Sequence, residues 1–287
     1  MEPVVKKVFR KSMLIRPSGR STDYISPSFG YGCLYNCTYC YIKRHKASGL
    51  DIASNINDIL TEINSHAYFD TTEKPNQTHH KYITYDISCN EDFALHAKYY
   101  DWKHIFQFFK NHDIAMGSFA TKYVNPELLS YNPESKIRIR FSLMPQVYSD
   151  KLEPNTSPII NRINAINDFI EAGYDVHINF SPVIVVNEWL EEYEKLFNLV
   201  NNIVKYKDKV KAEVIFLTHN ADKHQYNLDN KLTGEELLWF PESQESKVSQ
   251  YGGANIRYEH NKKSNYINQF KLLHNQIIPW NIIRYMF

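Results

Sequence analysis

Apolar and polar positions follow two alternating periods along most of the chain, and these periods predict strands and helices in turn. Short apolar or alternating runs are typical of β-strands, and they predict six strands, at about 24–29, 82–87, 114–120, 137–143, 176–181 and 214–218. Between the strands, apolar residues recur at helical spacing and predict helices at about 54–67, 101–111, 159–170 and 189–203. Gly173 follows the third of these helices as a C-terminal stop signal.

This order of elements predicts the fold class. Strands that alternate with helices are typical of β-α-β units on a parallel sheet. About six such units predict an α/β fold, a partial (β/α)6 barrel with its active-site groups at the C-terminal ends of the strands. We expect a basic N-terminal arm at 1–23, the barrel at 24–222, and a short C-terminal extension at 223–287 that forms a hairpin and a helix capping the barrel.

Composition bounds the class of protein. The chain has 287 residues, of which 43% are hydrophobic, so it can form a sizeable core. We expect a soluble, cytoplasmic protein without membrane contact, because no apolar run approaches the ~18 residues of a membrane span and the first residues lack the apolar region of a signal peptide. The formal net charge of +1 gives no overall signature of a nucleic-acid binder.

Two local segments are nevertheless basic. One lies in the first twenty residues, and the other follows the cysteine-rich segment described next; the positions are Lys6, Lys7, Arg10, Lys11, Arg16, Arg20, Lys43, Arg44 and Lys46. Such segments can hold a phosphate backbone. The alternative is a solvated N-terminal arm, and charge alone leaves both interpretations open.

The strongest chemical signal is a cluster of cysteines after the first predicted strand. Three of the four cysteines, Cys33, Cys37 and Cys40, form a C-x3-C-x2-C motif. Thiolates are the natural ligands of iron–sulfur clusters, and three of them leave one iron of a [4Fe–4S] cluster open to S-adenosylmethionine (SAM). A zinc site with His45 as fourth ligand and an electron-transfer cluster completed by Cys89 remain alternatives. A disulfide framework is disfavoured, because pairing leaves an odd cysteine.

Several further motifs follow in an order that resembles the spore photoproduct lyase family of the radical SAM superfamily. After the Tyr39-Cys40-Tyr41 ending of the cysteine motif, the similar segments are Asp86 to Asp92 (DISCNED), Thr121-Lys122-Tyr123, Arg140-Phe141-Ser142, Glu153 to Thr156 (EPNT) with Arg162, Ala172-Gly173-Tyr174, and Ser181 to Ile184 (SPVI) leading to Glu188-Trp189. The resemblance covers about residues 14–260.

The resemblance implies an activity. Members of the family repair a methylene-bridged thymine dimer in ultraviolet-damaged DNA. A [4Fe–4S] cluster on Cys33, Cys37 and Cys40 is then implied, with SAM on the open iron and a flavodoxin- or ferredoxin-type reductant as electron donor. Reductive cleavage of SAM gives a 5′-deoxyadenosyl radical that takes the C6 hydrogen of the lesion, so that the hard chemistry belongs to the cofactor.

The resemblance also implies roles for individual residues. Cys89 matches the hydrogen donor to the product radical, although most cysteines outside clusters are small buried hydrophobes. Tyr39 and Tyr41 match tyrosines that pass the hydrogen or contact SAM and the lesion. Lys122 and Ser142 match positions that hold the SAM carboxylate, a task that suits a lysine as a point charge.

Two positions depart from the family pattern. Glu91 stands where the family has a serine beside the SAM amino group, and a carboxylate can also accept from that ammonium. The lesion-contacting hairpin of the family reads Arg-Tyr-Gly, whereas this chain has Gln250-Tyr251-Gly252. Tyr251 remains a candidate for stacking on the lesion. The departures leave two alternatives: a radical SAM enzyme for another modified nucleobase, RNA or a peptide, and a non-catalytic metal-binding module that senses DNA damage.

Overall fold

Strands and helices alternate along most of the chain. The structure is a computed structural model, and it describes residues 4–42, 49–70, 72–248 and 254–287. The strands are β1 (Val5–Val8), β2 (Arg16–Pro17), β3 (Tyr24–Ile25), β4 (Gly30–Gly32), β5 (Leu50–Ala53), β6 (Ile83–Asp86), β7 (Ala115–Thr121), β8 (Ile137–Leu143), β9 (Asp175–Val183), β10 (Lys211–Phe216), β11 (Thr218–His219), β12 (Gln244–Val248), β13 (Ala254–Tyr258) and β14 (Ile282–Met286).

The helices lie mainly where the apolar spacing predicts them. They are α1 (Ile56–Phe69), α2 (Phe93–His96), α3 (Trp102–Asn111), α4 (Gln146–Leu152), α5 (Ile159–Glu171), α6 (Trp189–Ile203), α7 (Ala221–Asp229) and α8 (His260–Ile277). All four predicted helices are confirmed, as α1, α3, α5 and α6. Gly173 follows α5 with φ of +94°, and a Cβ there would lie 2.1 Å from Asn132 Oδ1. Glycine is therefore required at this stop.

The chain divides into two units. The first comprises Met1–Leu34, Lys46–Phe141 and Ala165–His177, and the second comprises Tyr35–His45, Ser142–Asn164 and Ile178–Phe287. Strands β8 and β9 contribute their first residues to the first unit and their last residues to the second. The cysteine motif is similarly shared, because Cys33 belongs to the first unit and Cys37 and Cys40 to the second.

The first unit contains two sheets. In the larger, the strands follow the order β9-β8-β7-β6-β3-β2; the pairs β3–β6, β6–β7 and β7–β8 are parallel, whereas β2 and β3 are antiparallel. The smaller has the order β1-β5-β4. Strand β1 lies inside the predicted basic arm and pairs in parallel with β5. Rings from α2, α3 and β7 fill the core, where Phe93 lies 5.6 Å from Phe106 and 5.1 Å from Phe119.

The second unit is built on strands in the order β14-β10-β9-β8, and a separate small sheet has the order β11-β13-β12. Strand β14 pairs in parallel with β10, with Lys211 opposite Ile282. Helices α6 and α8 pack on each other through Phe197 and Phe270, whose ring centroids are 5.2 Å apart. In the predicted C-terminal extension, β12 and β13 pair antiparallel and α8 follows them; that they cap a barrel stays a prediction. Strand β14 is an additional strand that the pattern did not predict.

Five of the six predicted strands are confirmed, as β6, β7, β8, β9 and β10. The predicted strand at 24–29 is shorter, because only Tyr24–Ile25 pairs in the larger sheet of the first unit. Pro27 lacks the N–H that a ladder requires, and the chain then enters β4 in the smaller sheet. The fold is thus a mixed α/β fold. In the part of the chain that the structure describes, none of the helices is long and apolar enough to cross a membrane.

His79 occupies an unusual electrostatic position in the first unit. Its Nδ1 accepts hydrogen bonds from the backbone N–H groups of Lys81 and Tyr82, at 3.1 and 3.0 Å. Burial lowers the pKa of His79 to about 4, and the positive charges of Arg138 and His80 act in the same direction. The imidazole is therefore neutral in the folded protein at neutral pH.

This environment predicts a pH dependence of stability. Histidine in an unfolded chain titrates near pH 6.5, so the unfolded state binds more protons than the folded state between about pH 4 and 6.5. The neutral His79 is expected to make its full contribution to the free energy of unfolding above about pH 6.5. This contribution is lost as the pH falls from about 6.5 to about 4. Urea unfolding at pH 7.5, 6 and 5 gives the slope of the free energy of unfolding against pH. A His79→Gln variant should show a smaller slope than wild type, and an unchanged slope contradicts this assignment.

Candidate active site

The cysteine motif lies in a loop whose three cysteines carry thiols. All four cysteines of the chain carry thiols rather than disulfides. Cys33 directly follows β4, and the loop tightens into a turn where the Cys40 N–H donates to the Cys37 carbonyl at 3.0 Å. Cys33 and Cys37 are buried, while Cys40 and Cys89 are partly exposed. Three thiols in one short loop are a donor set suited to an iron–sulfur cluster.

In the first unit, the loop that carries Cys89 is bonded to the strand that leads into Cys33. The Gly32 N–H donates to the Asn90 carbonyl at 3.1 Å, and Asn90 Nδ2 donates to Ser28 Oγ at 2.6 Å. The immediate neighbours of Cys33 and Cys89 are therefore held together by direct hydrogen bonds. Two cysteines separated by more than fifty residues in sequence thus belong to one local structure.

A histidine fixes the backbone immediately after Cys33. The Leu34 N–H donates to His96 Nε2 at 3.3 Å, so the proton of the ring lies on Nδ1. His96 Nδ1 in turn lies 2.9 Å from Glu91 Oε2, which also accepts from the Tyr100 hydroxyl. In this relay from Glu91 through His96 to Leu34, the side chains of Glu91 and His96 are both at 0% exposure.

Glu91 is consequently a structural carboxyl as well as a candidate ligand. Burial raises the pKa of Glu91, while the hydrogen bond from His96 lowers it in part. A Cβ at Gly30 would lie 2.4 Å from Glu91 Oε2 and from the Tyr100 hydroxyl, so only glycine fits at that position. The other oxygen, Oε1, is buried and has no hydrogen-bond partner among the described residues. That oxygen is the acceptor that Glu91 can still offer.

Replacing His96 by alanine is expected to lower the free energy of unfolding by about 1–3 kcal/mol, because the Leu34 N–H and a Glu91 oxygen lose their buried partner. Urea unfolding measures the change. A matched control is His104→Ala, since His104 makes an exposed hydrogen bond to Asn57 and exposed sites of this kind usually change stability by less than about 0.5 kcal/mol. Equal effects of the two substitutions contradict the proposed relay.

Asp92 positions the Thr121-Lys122-Tyr123 segment in the first unit. Its carboxylate accepts from the Thr121 hydroxyl at 2.6 Å and from the Lys122 N–H at 2.9 Å. It also caps helix α2, accepting from the Leu95 N–H at 3.2 Å. The backbone of Lys122 is therefore fixed to the turn that follows Cys89 and Glu91.

In the second unit, Thr38 anchors the other half of the cysteine loop. Its N–H donates to the Leu152 carbonyl at 2.9 Å, and its hydroxyl donates to the Thr233 carbonyl at 2.8 Å. The Thr38 carbonyl accepts from Asn227 Nδ2 at 3.0 Å. All hydrogen-bonding groups of this one residue are thus occupied, which holds the backbone between Cys37 and Cys40.

Tyr39 is bonded to a buried ion pair. Its hydroxyl donates to Glu153 Oε1, and Glu153 Oε2 lies 2.9 Å from Arg162 Nη1, with both charged side chains essentially inaccessible. Burial raises the pKa of the Tyr39 phenol well above its usual value, and the Glu153 charge raises it further. Tyr39 therefore keeps its proton and acts as a donor.

Arg162 connects this ion pair to Ser142. Its guanidinium donates to the Ser142 carbonyl at 2.9 Å, to the Thr156 hydroxyl at 2.6 Å and to the Ser157 carbonyl at 2.7 Å. Ser142 is buried at the end of β8. The fork of an arginine suits such convergent acceptors, so one side chain orders Tyr39, through Glu153, and Ser142.

The structure groups the predicted site residues by unit. The first unit holds Cys33, Cys89, Glu91 and Lys122, and the second holds Cys37, Tyr39, Cys40, Tyr41 and Ser142. Tyr41 is 48% exposed, in contrast to Tyr39. Tyr251 and Gln250 lie outside the described residues, as do His45 and the basic positions Lys43, Arg44 and Lys46; the roles predicted for them stay predictions.

Some residues that organise the site carried no assigned role in the sequence. His96, Asp92, Glu153 and Arg162 support the loop or the candidate ligands through the hydrogen bonds given above. Glu153 and Arg162 lie in motifs that resemble the family, but the motifs give no contact. A buried histidine such as His96 has no sequence signal, because its partners are a carboxylate and a backbone N–H brought to it by the fold.

Comparison with known protein families gives a match over nearly the whole chain. A family model described as "Spore photoproduct lyase" matches residues 4–287. The chain is similar to the spore photoproduct lyase of Bacillus subtilis (strain 168), with 27% identity over 192 residues, which cover 66% of this chain and 54% of that protein. The match therefore spans about half the length of this relative. The spore photoproduct lyase of Clostridium acetobutylicum is 24% identical over 282 residues, covering 93% of this chain and 81% of that protein.

Solved structures show the same fold. A spore photoproduct lyase complexed with dinucleoside spore photoproduct superimposes with a TM-score of 0.87 at 20% identity, covering 99% of this chain and 82% of that one. A mutant spore photoproduct lyase with bound AdoMet and dinucleoside spore photoproduct has a TM-score of 0.86 at 19% identity, with the same coverage.

Proposed function

Because the chain belongs to the spore photoproduct lyase family, we propose that it is a radical SAM carbon–carbon lyase of DNA repair. Its substrate is the methylene-bridged thymine dimer of ultraviolet-damaged DNA. The observation that carries the proposal is a contact between two segments that carry cysteines. The Asn90 carbonyl, in the loop of Cys89, accepts from the Gly32 N–H, in the strand that enters the C-x3-C-x2-C loop. A radical generator and a hydrogen donor are the two parts that such a reaction requires.

Cys33, Cys37 and Cys40 would hold a [4Fe–4S] cluster. The fit rests on the donor set, since all three carry thiols, and on a backbone fixed at Leu34 by His96 and at Thr38 by Asn227. When bound, the cluster and SAM supply a 5′-deoxyadenosyl radical, with electrons from a flavodoxin- or ferredoxin-type reductant. The fold proposed for this chemistry is a partial (β/α)6 barrel at 24–222, with the basic arm at 1–23 and the capping extension at 223–287.

The chain's own residues then bind and orient the reactants. Lys122 and Ser142 would hold the SAM carboxylate, one as a point charge and one as a hydroxyl. Their backbones are fixed by Asp92 and Arg162 respectively. Glu91 Oε1, the buried oxygen with no hydrogen-bond partner among the described residues, would accept from the SAM ammonium. An ammonium donor there satisfies a group that is otherwise costly to bury.

Cys89 would return a hydrogen atom to the product. After the C6 hydrogen of the lesion has been taken and the bond between the thymines has broken, the S–H of Cys89 would supply the atom that the thymine radical lacks. One electron from the reductant, with one proton, would then return the Cys89 thiyl radical to the thiol. Tyr39 has its O–H engaged by Glu153, so it suits a positioning role beside the cluster as well as a place in the hydrogen path. Tyr41, half exposed, and Tyr251 would contact SAM or the lesion.

A second candidate keeps the radical chemistry and changes the substrate to another modified nucleobase, RNA or a peptide. The observation that favours it is Glu91, whose Oε2 is committed to His96 and Tyr100 in place of the family's serine. The SAM end of the site is therefore built differently in this chain.

The experiment compares substrates under anaerobic conditions. The reconstituted protein is given SAM, a reductant and one of three dinucleosides: spore photoproduct, a cyclobutane thymine dimer, or undamaged thymidylyl-thymidine. We expect substrate-dependent 5′-deoxyadenosine with spore photoproduct, and none from a Cys37→Ser variant. Formation of 5′-deoxyadenosine without consumption of spore photoproduct overturns the repair assignment in favour of the second candidate. No 5′-deoxyadenosine at all from cluster-loaded protein overturns both.

A further inference from the structure

Three potential metal ligands of the second unit meet away from the residues that the reaction uses. His219 ends β11, His224 lies in α7, and Glu235 begins a short 3₁₀ helix at 235–237. Glu235 Oε1 lies 2.9 Å from His219 Nε2 and 2.5 Å from His224 Nδ1. One ligand atom from each residue lies within 4.8 Å of the other two. Atoms at such separations can share one ion with small side-chain movements.

Neighbouring side chains orient these ligands. Asn227 Nδ2 donates to Glu235 Oε2, which leaves Oε1 as the oxygen that faces both imidazoles. The indole of Trp239 stacks on the His224 ring, with centroids 4.2 Å apart and planes at 9°. Outer groups that fix the direction of histidine and carboxylate ligands are typical of metal sites. His219 and Glu235 are buried and His224 is 23% exposed, so an ion has a route in from solvent.

A second observation concerns Asn227, whose side chain contacts Glu235. Asn227 is fully buried, and its Oδ1 has no hydrogen-bond partner among the described residues. Nearly all buried polar atoms are paired. Nδ2 of the same amide donates to Glu235 Oε2, so the unsatisfied oxygen belongs to a side chain that already contacts one of the ligands. A water molecule bound to the cation is a donor of the kind that this oxygen lacks.

We propose that His219, His224 and Glu235 bind one divalent cation of the zinc type, with water as a fourth ligand. Two imidazoles, one carboxylate and a water are a set that Zn²⁺ accepts. A harder ion such as Mg²⁺ prefers an all-oxygen site. Lys223 directly precedes His224 in the sequence, and its Nζ lies 4.6 Å from the centroid of the Tyr226 ring.

The role of this cation is structural. It joins β11, α7 and the turn at 235–237, and two links connect this assembly to Thr38 in the cysteine loop: Asn227 Nδ2 to the Thr38 carbonyl, and the Thr38 hydroxyl to the Thr233 carbonyl. The cation therefore supports the backbone between Cys37 and Cys40. The inference stands apart from the proposed lyase activity, because it rests on ligands that the reaction does not use.

The test separates this site from the cysteines. The full chain with Cys33, Cys37 and Cys40 replaced by serine is titrated with zinc against a chromophoric chelator, and bound zinc is measured after dialysis. We expect one zinc per chain, lost in His219→Ala and Glu235→Gln. Asn227→Ala should bind about 10–100-fold more weakly, as for outer residues of other metal sites. The matched control is His66→Gln, at a place where one histidine pairs with one carboxylate, that of Asp70, and this variant should retain one zinc.

Stability gives a second readout. Zinc is expected to raise the unfolding temperature of the serine background, because it binds the folded state, and to leave that of a His224→Gln variant, at a partly exposed position, unchanged. Should the serine background not fold, cluster-loaded wild type and its His224→Gln variant are compared and should differ by one zinc per chain. The proposal is overturned if zinc does not bind stoichiometrically, or if the histidine variants bind it as well as their parent does.

Discussion

Replacing Glu153 by alanine is expected to lower the free energy of unfolding by about 3–5 kcal/mol, the cost of leaving one member of a buried ion pair without its partner. Arg162, at 0% exposure, would keep its charge in the interior. The Tyr39 hydroxyl, whose hydrogen bond to Glu153 is part-buried, would lose its acceptor as well. Equilibrium urea unfolding, followed by far-UV circular dichroism, measures the change.

The matched control for Glu153 is Glu236→Ala. Glu236 pairs with Lys151 at 3.2 Å in the same unit, but the two side chains are 62% and 54% exposed. Surface pairs contribute up to about 1 kcal/mol, so this variant should remain close to wild type. We also expect Glu153→Ala to retain less iron after reconstitution, because Tyr39 lies between Thr38 and Cys40. Equal stability of the two variants would show that the ion pair does not organise the cysteine loop.

Replacing Cys89 by alanine is expected to separate radical formation from repair. The three cysteines proposed as cluster ligands are untouched, so 5′-deoxyadenosine should still form from SAM. The yield of thymine product should fall roughly tenfold or more, equivalent to a barrier higher by about 1.4 kcal/mol, and other products of the thymine radical should appear. Chromatography of the products with mass detection measures both quantities in one reaction.

The control for Cys89 is Ser88→Ala in the same loop. Ser88 is buried, and its backbone N–H donates to Asp86 Oδ1 at 2.9 Å, a bond that the substitution leaves in place. This variant should give the wild-type product ratio. A Cys89→Ala protein that also yields thymine product at the wild-type ratio would remove Cys89 from the proposed hydrogen path and place the donor elsewhere.

The regular elements could be predicted from periodicity. Helix α5 buries the four isoleucines that repeat at helical spacing, Ile159, Ile163, Ile166 and Ile170, and it ends just before Gly173. Both features are local in sequence and could therefore be predicted. Strand β14 could not be predicted in this way. Its residues are partly exposed, and its pairing with β10 depends on a partner about seventy residues earlier in the chain.

The candidate site also has local features that could be predicted and long-range features that could not. The cysteine spacing predicted the thiol motif, because its residues lie at short fixed intervals, and the candidate SAM ligands follow from the resemblance of the ordered motifs to the family. The support for them depends on long-range contacts. His96 meets Leu34 across 62 positions, and Glu153 meets Tyr39 across 114, so neither contact leaves a periodic signal. Glu91 is the instructive case, since a residue considered as a ligand also holds His96 in place.

The most direct measurement of the central proposal is thymidine-containing product released from dinucleoside spore photoproduct by the cluster-loaded, full-length protein under anaerobic conditions. We predict that the lesion is consumed and that its two thymines are restored, in a reaction that requires SAM and reductant. Cys37→Ser protein should give no product. An intact protein that cleaves SAM and leaves the spore photoproduct unchanged would contradict the repair assignment.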